Sequence, residues 1–198
     1  MRHKISLSTV VVTLGLTFST SAAMADRATM LANTCAGCHG TNGVSTGPAI
    51  PTIAGMAEDT FTDAMNGYKD DEGGKNPTIM NRIAKAYSDE DIAAMAGFFS
   101  KQAFSAAKQD SDAAKVAEGK KIHKKSCEKC HEEGGSKDVD GSGILAGQWM
   151  PYLHYSMNDA VSGARTFPKK MTKRIKSVHE KGGDEAIAAL LAYYASQK

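Results

Sequence analysis

The sequence predicts an all-α protein made of two tandem helical domains, and three observations carry that prediction. Cys35 and Cys127 stand 92 positions apart, and the same offset aligns Ile53-Ala54-Gly55 with Leu145-Ala146-Gly147, Phe61 with Leu153, and Met65 with Met157. With a three-residue insertion, Ile92 falls on Ile187 and Ala94-Met95-Ala96-Gly97-Phe98-Phe99 on Ala189-Leu190-Leu191-Ala192-Tyr193-Tyr194. The chain therefore holds two copies of one unit, too few for a solenoid. Apolar residues recur at helical spacing, and nowhere is there the sustained alternation of a half-buried strand.

Residues 1–25 read as a signal peptide. Arg2 and Lys4 precede an apolar run of 14 residues from Ile5 to Phe18, and small residues lead to Ala23-Met24-Ala25, after which cleavage is expected. That run is shorter than the roughly 20 residues a bilayer span needs. A periplasmic protein with no membrane span in its mature form is the expectation. Residues 26–104 form the first domain: a Gly-, Pro- and Asn-rich wrapping loop leads from His39 to Ile53, then Phe61, Met65 and Tyr68 mark an amphipathic helix. Ser88 then reads as the N-cap of a helix burying Ile92, Met95, Ala96 and Phe99. A polar linker over 105–112 precedes the second domain, 113–198, where Asp184 before Ile187, Leu190, Leu191 and Tyr194 repeats the capped helix. Each unit of about 80 residues is marginal for an unaided core.

Composition narrows the function. The 198 residues are 41% hydrophobic with four cysteines, which excludes disordered, collagen-like and disulfide-dense classes. The 24 basic and 22 acidic residues become balanced once the leader, with two basic residues and no acidic one, is set aside. Nucleic acid is excluded as a partner, because its binding rests on a basic surface.

The four cysteines occur as Cys35-Ala36-Gly37-Cys38-His39 and Cys127-Glu128-Lys129-Cys130-His131. Two thiols one helical turn apart can add to the vinyl groups of a haem while the following imidazole meets the iron, the attachment chemistry of haem c. A thioredoxin-type pair has no use for the histidine, and no βαβ pattern surrounds either site. A four-cysteine zinc site brings its pairs within about 20 residues, whereas 88 residues separate Cys38 from Cys127. Two covalently bound haem c groups are expected, on Cys35, Cys38 and His39 and on Cys127, Cys130 and His131. A buried haem would also complete each small core.

A pure electron carrier needs a second axial ligand, and a methionine thioether raises the potential by favouring ferrous iron. Two methionine pairs recur. Met65 and Met157 lie 26 residues after their histidines on the apolar face of a predicted helix, where core filling is the usual role. Met80 and Met171 lie 41 and 40 residues after theirs, in a segment able to carry sulfur to the opposite haem face. Met80 and Met171 are the favoured ligands. Met56, Met95 and Met150 read as packing residues, and His123, His154 and His179 as exposed polar ones. Pro48 is a candidate carbonyl support for the first imidazole, with Asp140 at the equivalent second-half position, or simply a loop proline.

With Gly47-Pro48-Ala49 and Leu145-Ala146-Gly147-Gln148, the tandem class I haem domains resemble the cytochrome c4 superfamily. Further strings carry a narrower resemblance: Met30-Leu31-Ala32-Asn33-Thr34-Cys35, Thr78-Ile79-Met80 with Arg82-Ile83-Ala84-Lys85, Ile144-Leu145-Ala146-Gly147-Gln148-Trp149, Lys169-Lys170-Met171 and Tyr194-Ala195-Ser196-Gln197. Together with the second haem motif they look like the cytochrome subunit of flavocytochrome c sulfide dehydrogenase, across essentially the whole mature chain. That resemblance places Met80 and Met171 at the axial positions.

It further implies a heterodimer with a separate FAD-containing flavoprotein that oxidises sulfide. This chain has no G-x-G-x-x-G loop of its own to hold FAD. Electrons would pass one at a time from the flavin to one haem, on to the second, and out to a soluble acceptor such as a small cytochrome c. No catalytic residue is expected here. Trp149 is open to two roles, as an exposed docking residue or as a packed tryptophan. Two alternatives differ in partner or chemistry: a free-standing cytochrome c4-type carrier to a terminal oxidase, and a dihaem peroxidase, which needs an open iron site that paired methionines argue against.

Overall fold

In the computed structural model, residues 27–70, 78–165 and 167–197 are described, and among them the regular elements are all helical. The expected signal peptide lies outside the described residues. The first half supplies α1 over 27–33, α2 (Ala36–His39), α3 (Glu58–Lys69), α4 (Met80–Ile83) and α5 (Asp89–Phe99). The second half supplies α6 (Ala113–Ser126), α7 (Met150–Ser162) and α8 (Lys169–Ser196).

Local chemistry explains most boundaries. Ser88 starts α5 with a capping box: its hydroxyl accepts the Asp91 N–H at 3.2 Å, and the Asp91 carboxylate accepts the Ser88 N–H at 3.3 Å. Asp112 starts α6 by accepting the N–H groups of Ala114 and Lys115. Helix α7 stops at Gly163, whose φ of 72° suits a residue without a Cβ. Helix α8 is broken at Gly183, so its second part begins near Asp184, where the sequence places a helix start. Asp184 does not cap it; its carboxylate meets His179 at 3.2 Å.

Each half has its own core. Phe61 and Met65 of α3 face Ile92, Met95, Ala96 and Phe99 of α5, with the Phe61 and Phe99 rings stacked at 5.4 Å. In the second half Leu153 and Met157 of α7 face Ile187, Leu190, Leu191 and Tyr194 of α8. These are the pairs that the repeat aligns. Helix α6 also crosses α8, so closely that a Cβ on Gly119 would run into the Ala189 carbonyl.

The halves meet along a hydrogen-bonded seam. Gln148 brackets the Thr52 peptide, accepting its N–H at 3.1 Å and donating to its carbonyl at 2.6 Å. Asp138 serves α3 from the other half, accepting the Ala57 N–H and the Thr60 hydroxyl, both at 2.9 Å. A carboxylate at that end of a helix also opposes the positive pole of the dipole. Arg165 lies over the Tyr68 ring at 5.7 Å and the Phe167 ring at 4.8 Å. Trp149 belongs to this seam: its indole donates to the Ser45 carbonyl at 3.1 Å and lies against Gly47. The packed role is therefore the one the structure assigns to it. The 105–112 stretch is non-helical and tied down: the Ala107 N–H reaches the Gly147 carbonyl at 2.7 Å, and the Gln109 side chain bonds Gln148 and Met150.

Candidate haem attachment sites

Both C-x-x-C-H motifs sit where a helix gives way to a single turn. In the first, the N–H groups of Cys38 and His39 bond the Cys35 carbonyl at 3.2 and 2.8 Å. In the second, those of Cys130 and His131 bond the Cys127 carbonyl at 3.1 and 3.0 Å. One helical turn thus separates the thiols of each pair. All four are free, the first of each pair half-buried and the second exposed. Cys35 packs against the first core and Cys127 against the second.

The environments separate haem attachment from its rivals. Burial pushes the Cys35 and Cys127 thiols up, with only partial relief from Thr34 and Tyr194 respectively. A thioredoxin-type nucleophile needs the opposite shift. Among the described residues no group of three or more His, Cys, Asp and Glu side chains gathers to hold a metal ion, so the cysteine pairs do not assemble a zinc site. Burial also holds both imidazoles below their ordinary range. They are neutral near pH 7, the form that ligates iron.

The two imidazoles are supported differently. His39 Nδ1 lies 2.9 Å from the Pro51 carbonyl; a carbonyl only accepts, so Nδ1 carries the proton and Nε2 keeps its lone pair for a metal. Support from a proline carbonyl is realised, but by Pro51, three residues beyond Pro48. At the position equivalent to Pro51 the second half has Gly143, and His131 Nδ1 is buried without a hydrogen-bond partner. His123 departs from its expected exposure. It is 2% exposed, with Nδ1 3.0 Å from the Tyr194 hydroxyl, whereas His154 is exposed and His179 half-buried as surface residues. The signal that could have found it is the neighbouring Cys127, which puts His123 one helical turn before the attachment site.

Met65 and Met157 are buried in α3 and α7 at 5% and 6% exposure, as core fillers are. Met80 and Met171 are half-buried and pack against the edges of the first and second cores. Neither stands in a plain loop: Met80 opens α4, and Met171 lies in the first turn of α8. Thr78 and Asn81 pin the Met80 segment. The Asn81 carbonyl oxygen accepts the Thr78 N–H at 2.8 Å, and its amide donates to the Tyr68 carbonyl at 3.1 Å. Met95 is fully buried, consistent with packing.

The donor set fits a covalently attached haem: paired thiols one turn apart, a neutral imidazole beside them, and a thioether at the edge of the same core. The Cytochrome c family matches residues 25–102. The chain is 30% identical over 197 residues to cytochrome c4 of Pseudomonas aeruginosa, covering 94% of this chain and 96% of that one. It is 38% identical over 73 residues to the cytochrome subunit of sulfide dehydrogenase from Chlorobaculum tepidum, covering 37% of this chain and 64% of that one. The crystal structure of reduced cytochrome c4 from Pseudomonas stutzeri superposes with a TM-score of 0.73 at 25% identity, over 88% of this chain and 98% of that one. Full-length similarity and shared architecture together place the chain in the cytochrome c4 family, electron-transfer proteins with covalently bound haem c, here built from two class I cytochrome c domains.

Proposed function

We propose that the chain is a periplasmic dihaem electron relay, with one haem in residues 26–104 and one in 113–198, joined through the 105–112 linker. The observation that carries this reading is the duplication of a complete site, each C-x-x-C-H turn lying against its own helical core. Cys35, Cys38, Cys127 and Cys130 would hold the two porphyrins, and His39 with Met80 and His131 with Met171 would ligate the irons. Each bound haem supplies an iron that exchanges a single electron. The chain's own residues exclude water, orient the imidazoles and limit reorganisation. No side chain here is asked to bind or transform a substrate.

The donor is an FAD-containing, sulfide-oxidising flavoprotein, and the acceptor a small soluble redox protein. Resemblance to the sulfide dehydrogenase cytochrome subunit supports this assignment. The full-length match to cytochrome c4 favours a second reading, a free-standing carrier delivering electrons to a terminal oxidase. A protein named as a thiosulfate dehydrogenase electron acceptor, from Thiomonas intermedia, is also 28% identical over 167 residues. Copurification from the native periplasm, followed by haem absorbance after sulfide addition, separates the readings. A bound FAD protein and sulfide-dependent reduction are expected. Reduction that ignores sulfide while the haems remain competent would leave only the free-standing carrier.

A further inference from the structure

Among the described residues, two buried side-chain polar atoms have no hydrogen-bond partner, and both lie in the second half: Nε2 of His123 and Nδ1 of His131. A buried polar atom without a partner costs more than an ordinary hydrogen bond returns, so such atoms call for an explanation. The first half has neither orphan. There the Pro51 carbonyl takes His39 Nδ1, and the position equivalent to His123 is Leu31, packed in a core with Phe99, the residue aligned with Tyr194. An apolar Leu–Phe pair in one copy is thus a hydrogen-bonded His–Tyr pair in the other.

We propose that His123 is a positioning residue for the second iron's imidazole, its Nε2 joined through one ordered water to His131 Nδ1, replacing the carbonyl support of the first half. The inference rests on the haem reading above. The donors and acceptors then close. His131 Nδ1–H donates to the water, the water donates to His123 Nε2, His123 Nδ1–H donates to the Tyr194 oxygen, and Tyr194 turns its O–H toward the Cys127 sulfur. His123 is held for the task, with its ring 5.1 Å from that of Tyr193 and 5.5 Å from that of Tyr194. Backbone bonds from the Cys127 N–H to the His123 carbonyl at 2.8 Å and from the His131 N–H to the Cys127 carbonyl at 3.0 Å set the two histidines two successive turns apart. Two buried groups left without partners, one able to donate and one to accept, are the kind that an internal water satisfies. A water accepts the imidazole proton differently from a fixed carbonyl, so the two irons are tuned by different partners.

The test uses the full chain, exported and matured, with two haems counted by mass. The double variant His123→Leu, Tyr194→Phe restores the apolar pair of the first half and is expected to fold. One of the two midpoint potentials should shift by about threefold to tenfold in its redox equilibrium constant, the net worth of one hydrogen bond. One of the two axial imidazole N–H protons, observed by NMR in the ferrous protein, should exchange faster. That signal is assigned to the second half by its loss in a Cys127→Ala, Cys130→Ala variant. Tyr194→Phe alone should move the same signal in the same direction, and His123→Gln, which keeps a hydrogen-bonding group, should move it less than His123→Leu. A two-haem double variant with both potentials and both N–H protons unchanged, or with both halves shifted alike, overturns the proposal and leaves the haem reading standing. A preparation without haem overturns both.

Discussion

The two halves share a motif, a core pattern and a helix order, yet they treat the same imidazole in different ways. His39 is anchored by a backbone carbonyl of its own wrapping loop, while His131 faces a core polarised by His123 and Tyr194. Backbone support survives most substitutions, because any residue at position 51 carries a carbonyl. Side-chain support can be removed by one mutation. Duplication therefore kept the C-x-x-C-H motif and left the surroundings of each histidine free to diverge.

Removing attachment from one half should have the largest effect. Cys127→Ala with Cys130→Ala is expected to remove one of two porphyrin increments from the mass and to loosen the second core, while Cys35→Ala with Cys38→Ala does the reverse. A variant that keeps both increments would show that the halves do not load separately. Replacing Met80 or Met171 by Ala should abolish the methionine-to-iron band of one ferric haem and lower one potential, whereas Met65→Leu and Met157→Leu should leave both bands intact. The opposite outcome would move the ligand role to the helical pair.

Core substitutions compare the halves by stability. Phe61→Ala and Leu153→Ala should each cost about 2–5 kcal/mol in denaturant unfolding, and a loss well below that range in either would mark the looser core. Asp138→Ala should cost about 1 kcal/mol, as a lost helix-terminal acceptor does, and the loss should be read in the first half although the mutation lies in the second. Hydrogen exchange at the Ala57 amide reports it.

The smallest effect is in pH dependence. Burial lowers the His123 pKa, Glu128 acting weakly the other way, and Tyr193 and Tyr194 face the ring from α8. Below about pH 6.5, the ordinary histidine range, the unfolded chain binds a proton that the folded one refuses. Stability therefore rises with pH through that window and is lost on acidification. His123→Leu should flatten the acid side of a plot of thermal midpoint against pH; an unchanged slope would assign the effect elsewhere.

Local signals were the legible ones. The two pentapeptides located both C-x-x-C-H turns and Ser88 the start of α5, because each depends on residues a turn apart, and the 92-residue offset paired the two halves. The burial of His123 depends on Tyr194, 71 positions away, and on Gly119 letting two helices close up, which no local pattern shows. Pro51 rather than Pro48 supports His39 because the path of an irregular loop decides which carbonyl reaches the ring. The helical state of Met171 was missed because the Asp184 helix start was legible, while the preceding basic stretch, part of the same α8 up to Gly183, carried no cap to announce it.

Asp138 completes a helix that was synthesised about 80 residues earlier. A chain emerging amino end first leaves the start of α3 frayed until the later half has arrived and closed over it. Final tightening of the earlier haem site would thus await the later one, so truncation after the linker should yield a coloured but looser fragment rather than a finished miniature.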